Sequence, residues 1–297
     1  MKIKQRIVLR YDSPFWDEID RLALSYKKGD PRIALSVLEI TEDRPEWPEV
    51  ERLLAKHGEK SISYSNVYSK AELDTAEWLV LGARGHHGYP QPEDGFGYRQ
   101  ATYDLSQSCP TCNIGGVQKA PFRLRSEPKA SRSQFLQLNW VFDEFFLRDE
   151  ARLGLEAAGI TGFDLLRPVL HKSGRPSEQV TQMVVKTILP PALQTQGLQP
   201  VTCKPRNEEW NPRNRLRRPE PDERPHCQRV KYHFIRRGPF RLRRGAFAAA
   251  PDVVKSHEWF GSGGRAEQLV LVSQKFRRTV IEAKWRGLYF EPIELVD

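Results

Sequence analysis

The sequence predicts an α+β fold in which mixed and antiparallel sheets carry packed helices. Three observations point to it: apolar residues recur at a spacing of two in short stretches, several longer stretches show helical spacing with capping residues, and a cysteine turn lies between two strand-like segments.

Residues 3–11 alternate Ile3, Gln5, Ile7, Leu9 and Tyr11 with Lys4, Arg6, Val8 and Arg10, the pattern of a half-buried strand. Asp12-Ser13-Pro14 ends it, and residues 15–24 then place Phe15, Ile19 and Leu22 on one face of a short helix. Residues 33–40 read as a second strand. Residues 47–58 have Pro48 in a first helical turn and Gly58 as a stop, so they read as a helix. A strand over 61–68, a helical turn over 71–76 and a strand over 78–81 complete the reading of an N-terminal α/β region, residues 1–100. Residues 101–297 form a cysteine-containing α+β region.

In that second region, residues 101–105 read as a strand entering the cysteine turn and 117–125 as a strand leaving it. Residues 141–159 read as a long helix with Phe142, Phe145, Phe146, Leu153 and Ala157 facing inward and Gly159 as its stop; Asp143, Glu144, Asp149 and Glu150 would splay over its solvated surface. A strand over 162–171, a short helix over 176–183 and a break at Pro190-Pro191 follow. Val230, Tyr232 and Phe234 alternate with Lys231 and His233 as in a strand. At the end, 269–272 is a compact apolar strand, Ser273 an N-cap, 274–286 a helix stopped by Gly287, and 288–292 a last strand.

With 39% apolar and 29% charged residues over 297 positions the chain can bury a substantial core, and no apolar run approaches the roughly 18 residues of a membrane span. The charged N-terminal strand does not resemble a signal peptide, and four cysteines in so long a chain fit a reducing compartment, so a cytoplasmic protein is expected. The net charge is +9, but residues 201–245 hold 14 Lys and Arg against 5 Asp and Glu, while the other 252 residues hold 33 of each. The basic excess is therefore local.

Cys109-Pro110-Thr111-Cys112 aims two sulfurs at one spot, and strand, Cys-x-x-Cys, strand is half of a zinc ribbon. A thioredoxin-like redox pair would open a helix, which Asn113-Ile114-Gly115-Gly116 disfavours. Cys203 and Cys227 are expected to complete a four-sulfur structural Zn²⁺ site, with His226 as the substitute for Cys203; the alternative is four separate buried thiols. The segment 204–225 between them is polar and rich in Pro and Arg, and reads as a flexible basic loop inserted into a second knuckle.

Arg213, Arg215, Arg217, Arg218, Arg236 and Arg237 are candidate binding residues. They would suit an acidic face of a protein partner or, as the alternative, a nucleic acid bound along 206–244 with the interleaved aromatics stacking on bases. The Gly-rich loop 82–97 carries His86 and His87 near Arg84 and Asp94, the ingredients of a hydrolase or nuclease, although it lacks the Gly-x-Gly-x-x-Gly and Gly-Lys-Ser/Thr phosphate-binding patterns. No residue stands out as catalytic, and a zinc-stapled, non-catalytic binding protein is the leading expectation.

With its first cysteine pair, the helix read over 142–158, a second cysteine group and a strand-helix-strand end over 270–290, the layout of residues 105–297 resembles the bacterial double-CXXCG proteins. These are immunity partners of toxins exchanged between myxobacterial cells. The resemblance implies that Cys109, Cys112, Cys203 and Cys227 correspond to the metal-binding cysteines and that the chain binds and neutralises a protein toxin. Asn113 stands where the motif has Gly, and the second Cys-x-x-Cys is split by the insert.

Overall fold

The computed structural model describes residues 1–29, 32, 34–59, 63–129, 132–203 and 227–297. The chain divides into two compact units, Met1–Leu73 with Ile235–Pro239, and Asp74–Phe234 with Phe240–Asp297.

In the first unit, β1 (Lys2–Arg10), α1 (Phe15–Arg21), β2 (Leu35–Thr41), α2 (Trp47–Lys56) and β3 (Ser63–Val67) form an antiparallel sheet of order β2-β1-β3 with its helices. The alternation along β1 buries Ile3, Ile7 and Leu9, and the core adds Phe15 and Ile19 of α1 and Val50 and Leu53 of α2. Gln5, in the same buried row, donates to Glu42 at 2.5 Å. The segment Ile235–Pro239 is tied to β3 by Asn66, which donates to the carbonyls of Arg236 and Gly238 and accepts from the Gly238 amide.

Helix α3 (Lys70–Thr75) carries the chain across the junction, which lies at Leu73 and Asp74 rather than at residue 100. The reason is β4 (Trp78–Ala83), which is hydrogen-bonded on both sides inside a sheet of the second unit. That unit continues with α4 (Tyr98–Thr102), β5 (Tyr103–Asp104), β6 (Val117–Gln118), β7 (Arg123–Leu124), β8 (Phe135–Leu138), β9 (Val141–Leu147), α5 (Asp149–Ala157), β10 (Phe163–Leu166), β11 (Val169–Leu170) and β12 (Thr181–Val185). It ends with β13 (Pro200–Thr202), β14 (Val230–Tyr232), β15 (Phe240–Arg243), β16 (Val253–Phe260), β17 (Glu267–Ser273), α6 (Gln274–Glu282) and β18 (Leu288–Val296). A seven-stranded sheet runs β13-β14-β16-β17-β4-β18-β15, with parallel pairs β14/β16 and β15/β18 among antiparallel ones. A four-stranded antiparallel sheet runs β10-β12-β9-β8, and β5 and β6 form a separate hairpin. The α+β class with mixed and antiparallel sheets is therefore the one observed.

The long helix expected over 141–159 is instead a strand followed by a helix. Phe145, Phe146 and Leu147 are consecutive and fully buried, which needs core on both faces; β9 meets this between β8 and β12, where a surface helix would expose one of the three. Val and Phe also favour the pleated conformation. Only α5, with Ala151 and Leu155 buried, keeps the helical spacing. Likewise, the stretch expected as a helix over 176–183 ends in β12, and 117–125 breaks into β6 and β7. The C-terminal reading stands: the Ser273 hydroxyl accepts from the Phe276 amide as the N-cap of α6.

Candidate metal centre

The four cysteines come from the tips of two hairpins. Cys109 and Cys112 lie in the turn between β5 and β6, where Asp104 pairs with Val117; Cys203 directly follows β13 and Cys227 shortly precedes β14, where Thr202 pairs with Val230. Their sulfurs all lie within 4.8 Å of one another. Cys109 Sγ is 3.7 Å from Cys203 Sγ, and Cys112 Sγ is 3.6 Å from Cys227 Sγ. A disulfide needs about 2.05 Å, whereas four sulfurs about 2.3 Å from one tetrahedral ion stand about 3.8 Å apart. The donor set thus fits a metal ion.

The two hairpin tips are equivalent in backbone detail. In the first, the Cys109 amide donates to the Ile114 carbonyl at 2.9 Å; in the second, the Cys203 amide donates to the Arg229 carbonyl at 3.0 Å. Each acceptor lies two residues beyond the second cysteine of its pair. Amides at that same position, Ile114 and Arg229, hydrogen-bond the sulfurs of Cys112 and Cys227. The residue after each second cysteine is left-handed: Asn113 at φ 66° and Gln228 at φ 57°. Asn is among the few L residues that adopt this conformation readily. Both tips are therefore zinc-ribbon-like knuckles. The insert replaces Pro110-Thr111 in the second and leaves its closing bond in place.

Placing four ionisable thiols together splits their titration. At Cys109 burial opposes ionisation, but the amides of Cys112 and Thr111 outweigh it and draw the thiol down to about 6. Burial pushes Cys112 up to about 12 and raises Cys203, and Cys227 is lowered by Arg229 despite its burial. Four thiolates this close cannot all ionise without a cation among them, and a bound metal ion would deprotonate them together.

Two cations stand beside the sulfurs. Lys231 is 1% exposed, and its ammonium donates to the carbonyls of Cys112 at 3.2 Å, Gly263 at 2.6 Å and Arg265 at 2.6 Å, using all three of its protons. Burial lowers its pKa while the four thiols act to raise it. Arg229 donates to the Gln107 carbonyl at 3.2 Å. Positive charge here would offset the excess negative charge of four thiolates around a divalent ion, and Lys231 locks the first knuckle to the 263–265 turn. Sequence reading missed Lys231 because it assigned the period of β14 correctly but the face wrongly: Val230 is exposed and Lys231 buried. Its position four residues past Cys227 was the available signal. Asn113 adds a further brace, donating to the Gly264 carbonyl and accepting from Arg99.

The other candidates fare differently. His226, Arg213, Arg215, Arg217 and Arg218 lie outside the described residues. Arg236 is buried in the first unit, and Arg237 there pairs with Glu42 at 2.8 Å and lies over the Tyr64 ring. In the second unit Arg241 pairs with Glu294 and Arg244 with Glu77, so these guanidiniums already have carboxylate partners. His86 stands edge-on to Phe142 at 5.5 Å, burial lowering its pKa, and His87 meets the Ser126 carbonyl at 3.1 Å; Arg84 donates to the Leu288 carbonyl. The loop thus spends these groups on separate neighbours. Asp143 and Glu144, expected on a solvated helix face, are instead largely buried on β9, where Lys255 contacts them at 3.3 and 2.6 Å.

No protein-family model matches the sequence, and no curated protein matches it. Among the described residues no helix is long and apolar enough to cross a membrane.

Proposed function

We propose that this chain is a zinc-stapled binding protein with no chemistry at its metal. The observation that carries the reading is the equivalence of the two knuckles. It supplies four sulfurs to one point and so fills a tetrahedral coordination shell, leaving no position for a reacting water or substrate. Zinc suits an all-thiolate tetrahedral site better than the harder cations, and when bound it holds the thiols deprotonated. Cys109, Cys112, Cys203 and Cys227 then fix both ends of the 204–225 insert on the hairpins, where closing a long loop has a large entropic effect.

The partner in this reading is a protein, and the resemblance to the double-CXXCG proteins makes it a toxin that the chain neutralises. Two hairpin tips that each carry one cysteine pair support that likeness, while the replacement of residues 142–147 of the expected 142–158 helix by β9 narrows it to the cysteine-bearing part. The test is co-expression with a protein toxin, each neighbouring gene product that is toxic on its own being tried in turn. Wild-type chain is expected to protect the cells, and chain with Cys203→Ser and Cys227→Ser to fail. Unrelieved toxicity in the presence of metal-loaded wild-type protein would contradict the immunity role.

A further inference from the structure

A cleft of about 1010 Å³ opens in the second unit beside the first knuckle, and Tyr98, Arg99 and Tyr103 of α4 and β5 line it. Tyr98 is 6% exposed and Tyr103 half-buried, yet neither hydroxyl has a hydrogen-bond partner among the described residues, and neither is sealed off from open space. A phenol so placed forfeits a hydrogen bond that it would make in water, unless something enters the cleft to accept it. Burial raises the pKa of both, with neighbouring carboxylates adding to it, so both keep their protons and act as donors. The carboxylates of Asp143 and Glu144 do not serve them; those oxygens accept from Lys255, from the Gln182 side-chain amide at 2.8 Å and from the Gln268 backbone amide at 3.3 Å.

Arg99 stands between the two tyrosines in sequence and is half-buried. Its guanidinium donates to the side-chain oxygen of Asn113 and, at 3.4 Å, to the Ser108 hydroxyl, which occupies two of its five N–H groups with neutral acceptors. Every other cation lining the cleft meets a carboxylate: Lys255 contacts Asp143 and Glu144, Arg265 pairs with Glu267, and Lys186 with Asp164. The wall is thus balanced in total charge, and what distinguishes Arg99 is that among the described residues no carboxylate reaches it. Burial works against its charge. Above these donors the mouth is apolar. Phe96 and Trp140 are exposed with ring centroids 4.7 Å apart, and Trp140 stacks on Tyr98 at 6.2 Å. Both are left-handed, at φ 56° and 69°, a conformation that bulky L residues rarely adopt and that is found where a site holds its groups in place.

We infer that this cleft binds a small organic acid, with Arg99, Tyr98 and Tyr103 holding its carboxylate and Trp140 and Phe96 its apolar, ring-bearing body. A guanidinium fork matches a carboxylate in shape and charge, and two phenols add donors without adding charge. A phosphate dianion would bring two charges to one unmatched cation. A concave, largely apolar cleft of this size with a few converging donors suits a small molecule better than the face of a protein. The inference does not draw on the toxin partner.

The experiment titrates metal-loaded protein, its zinc content measured on the same sample, with 2-naphthylacetate, its neutral isostere 2-naphthylacetamide, inorganic phosphate and N-acetyl-glutamate methylamide, followed by calorimetry and amide chemical shifts. Naphthylacetate is expected to saturate the protein below about 10 mM, with the acetamide at least about tenfold weaker. Arg99→Gln should weaken naphthylacetate at least about tenfold and the double variant Tyr98→Phe, Tyr103→Phe at least about fivefold. The double variant removes only hydroxyls that lack partners, so its melting temperature should not fall, and it remains available if Arg99→Gln disturbs the knuckle. Acetamide binding as well as the acid, no saturation by naphthylacetate up to about 10 mM, or unchanged affinity in either variant would overturn the inference. Phosphate binding more tightly than naphthylacetate would overturn the assignment to an organic acid, and tighter binding of the glutamate amide would move the site to an acidic side chain of a protein partner. Failure in any of these ways with zinc still present leaves the metal reading intact, whereas protein without zinc fails that reading first.

Discussion

At the scale of single residues, the sulfurs were legible because cysteine is scarce in this chain and its chemistry narrow, so spacing alone brought Cys109 and Cys112 together and left two candidates to complete the set. Lys231 was not legible, since a lysine on an alternating strand is expected to face water and only the knuckle's carbonyls reverse that. Replacing Lys231 with Met leaves those carbonyls buried without their donor, and we expect a loss on the order of 3 kcal/mol by denaturant unfolding of the metal-loaded protein. Gln228 gives the opposite case: it is exposed and left-handed, so Gln228→Gly is expected to stabilise by about 0.5–1 kcal/mol and Gln228→Val to destabilise by about 1 kcal/mol. Equal stability of the two variants would mean that the second knuckle does not hold the conformation of the first.

At the scale of elements, the strands and caps that depend on local pattern were readable: β1, α2, the Ser273 cap and the β17-α6-β18 end lie close to where their periodicity places them. The reading failed at β9, because Phe142, Phe145 and Phe146 satisfy helical spacing as well as a doubly buried strand, and only the partner strands β8 and β12 decide between them. That misreading also hid Asp143 and Glu144. Lys255 between them is expected to be indispensable: Lys255→Met strands two carboxylates in the core and should cost about 3–5 kcal/mol in chemical denaturation. The neighbouring strand β17 makes the same region sensitive to pH. Burial pushes the Glu267 carboxyl up to about 7, with Arg265 opposing, and burial raises Glu144 in the same direction. Between roughly pH 4.5 and 7 the folded protein keeps a proton on Glu267 that the unfolded chain releases. Its contribution to stability is complete below that window and is lost as pH rises through it, by about 3 kcal/mol. Unfolding titrations at several pH values should show this fall in the wild type and a flatter profile in Glu267→Gln; parallel profiles would mean that the carboxyl is not held as described.

At the scale of the whole molecule, the sequence indicated two regions but set the division too late, because the edge of a unit is fixed by which sheet a strand joins, and β4 joins β17 and β18 from nearly 200 residues away. The pairing of the knuckles is likewise long-range: Cys109 and Cys203 are 94 positions apart, and Cys112 and Cys227 are 115. A metal linking them stabilises the second unit in proportion to how much more tightly the folded state holds it than the unfolded chain does. Stripping the metal with a strong chelator under reducing conditions is therefore expected to lower the melting temperature by 10 °C or more, reversibly on adding zinc. The most direct measurement is X-ray absorption at the zinc edge, with metal quantified per chain, on wild-type protein and on Cys203→Ser and Cys227→Ser. One zinc per chain with four sulfur neighbours at about 2.3 Å, reduced in both variants, is the expected result. A chain that holds no zinc, or one whose zinc keeps its sulfur neighbours and its stoichiometry when Cys203 or Cys227 is replaced, would contradict a single centre shared by the two knuckles.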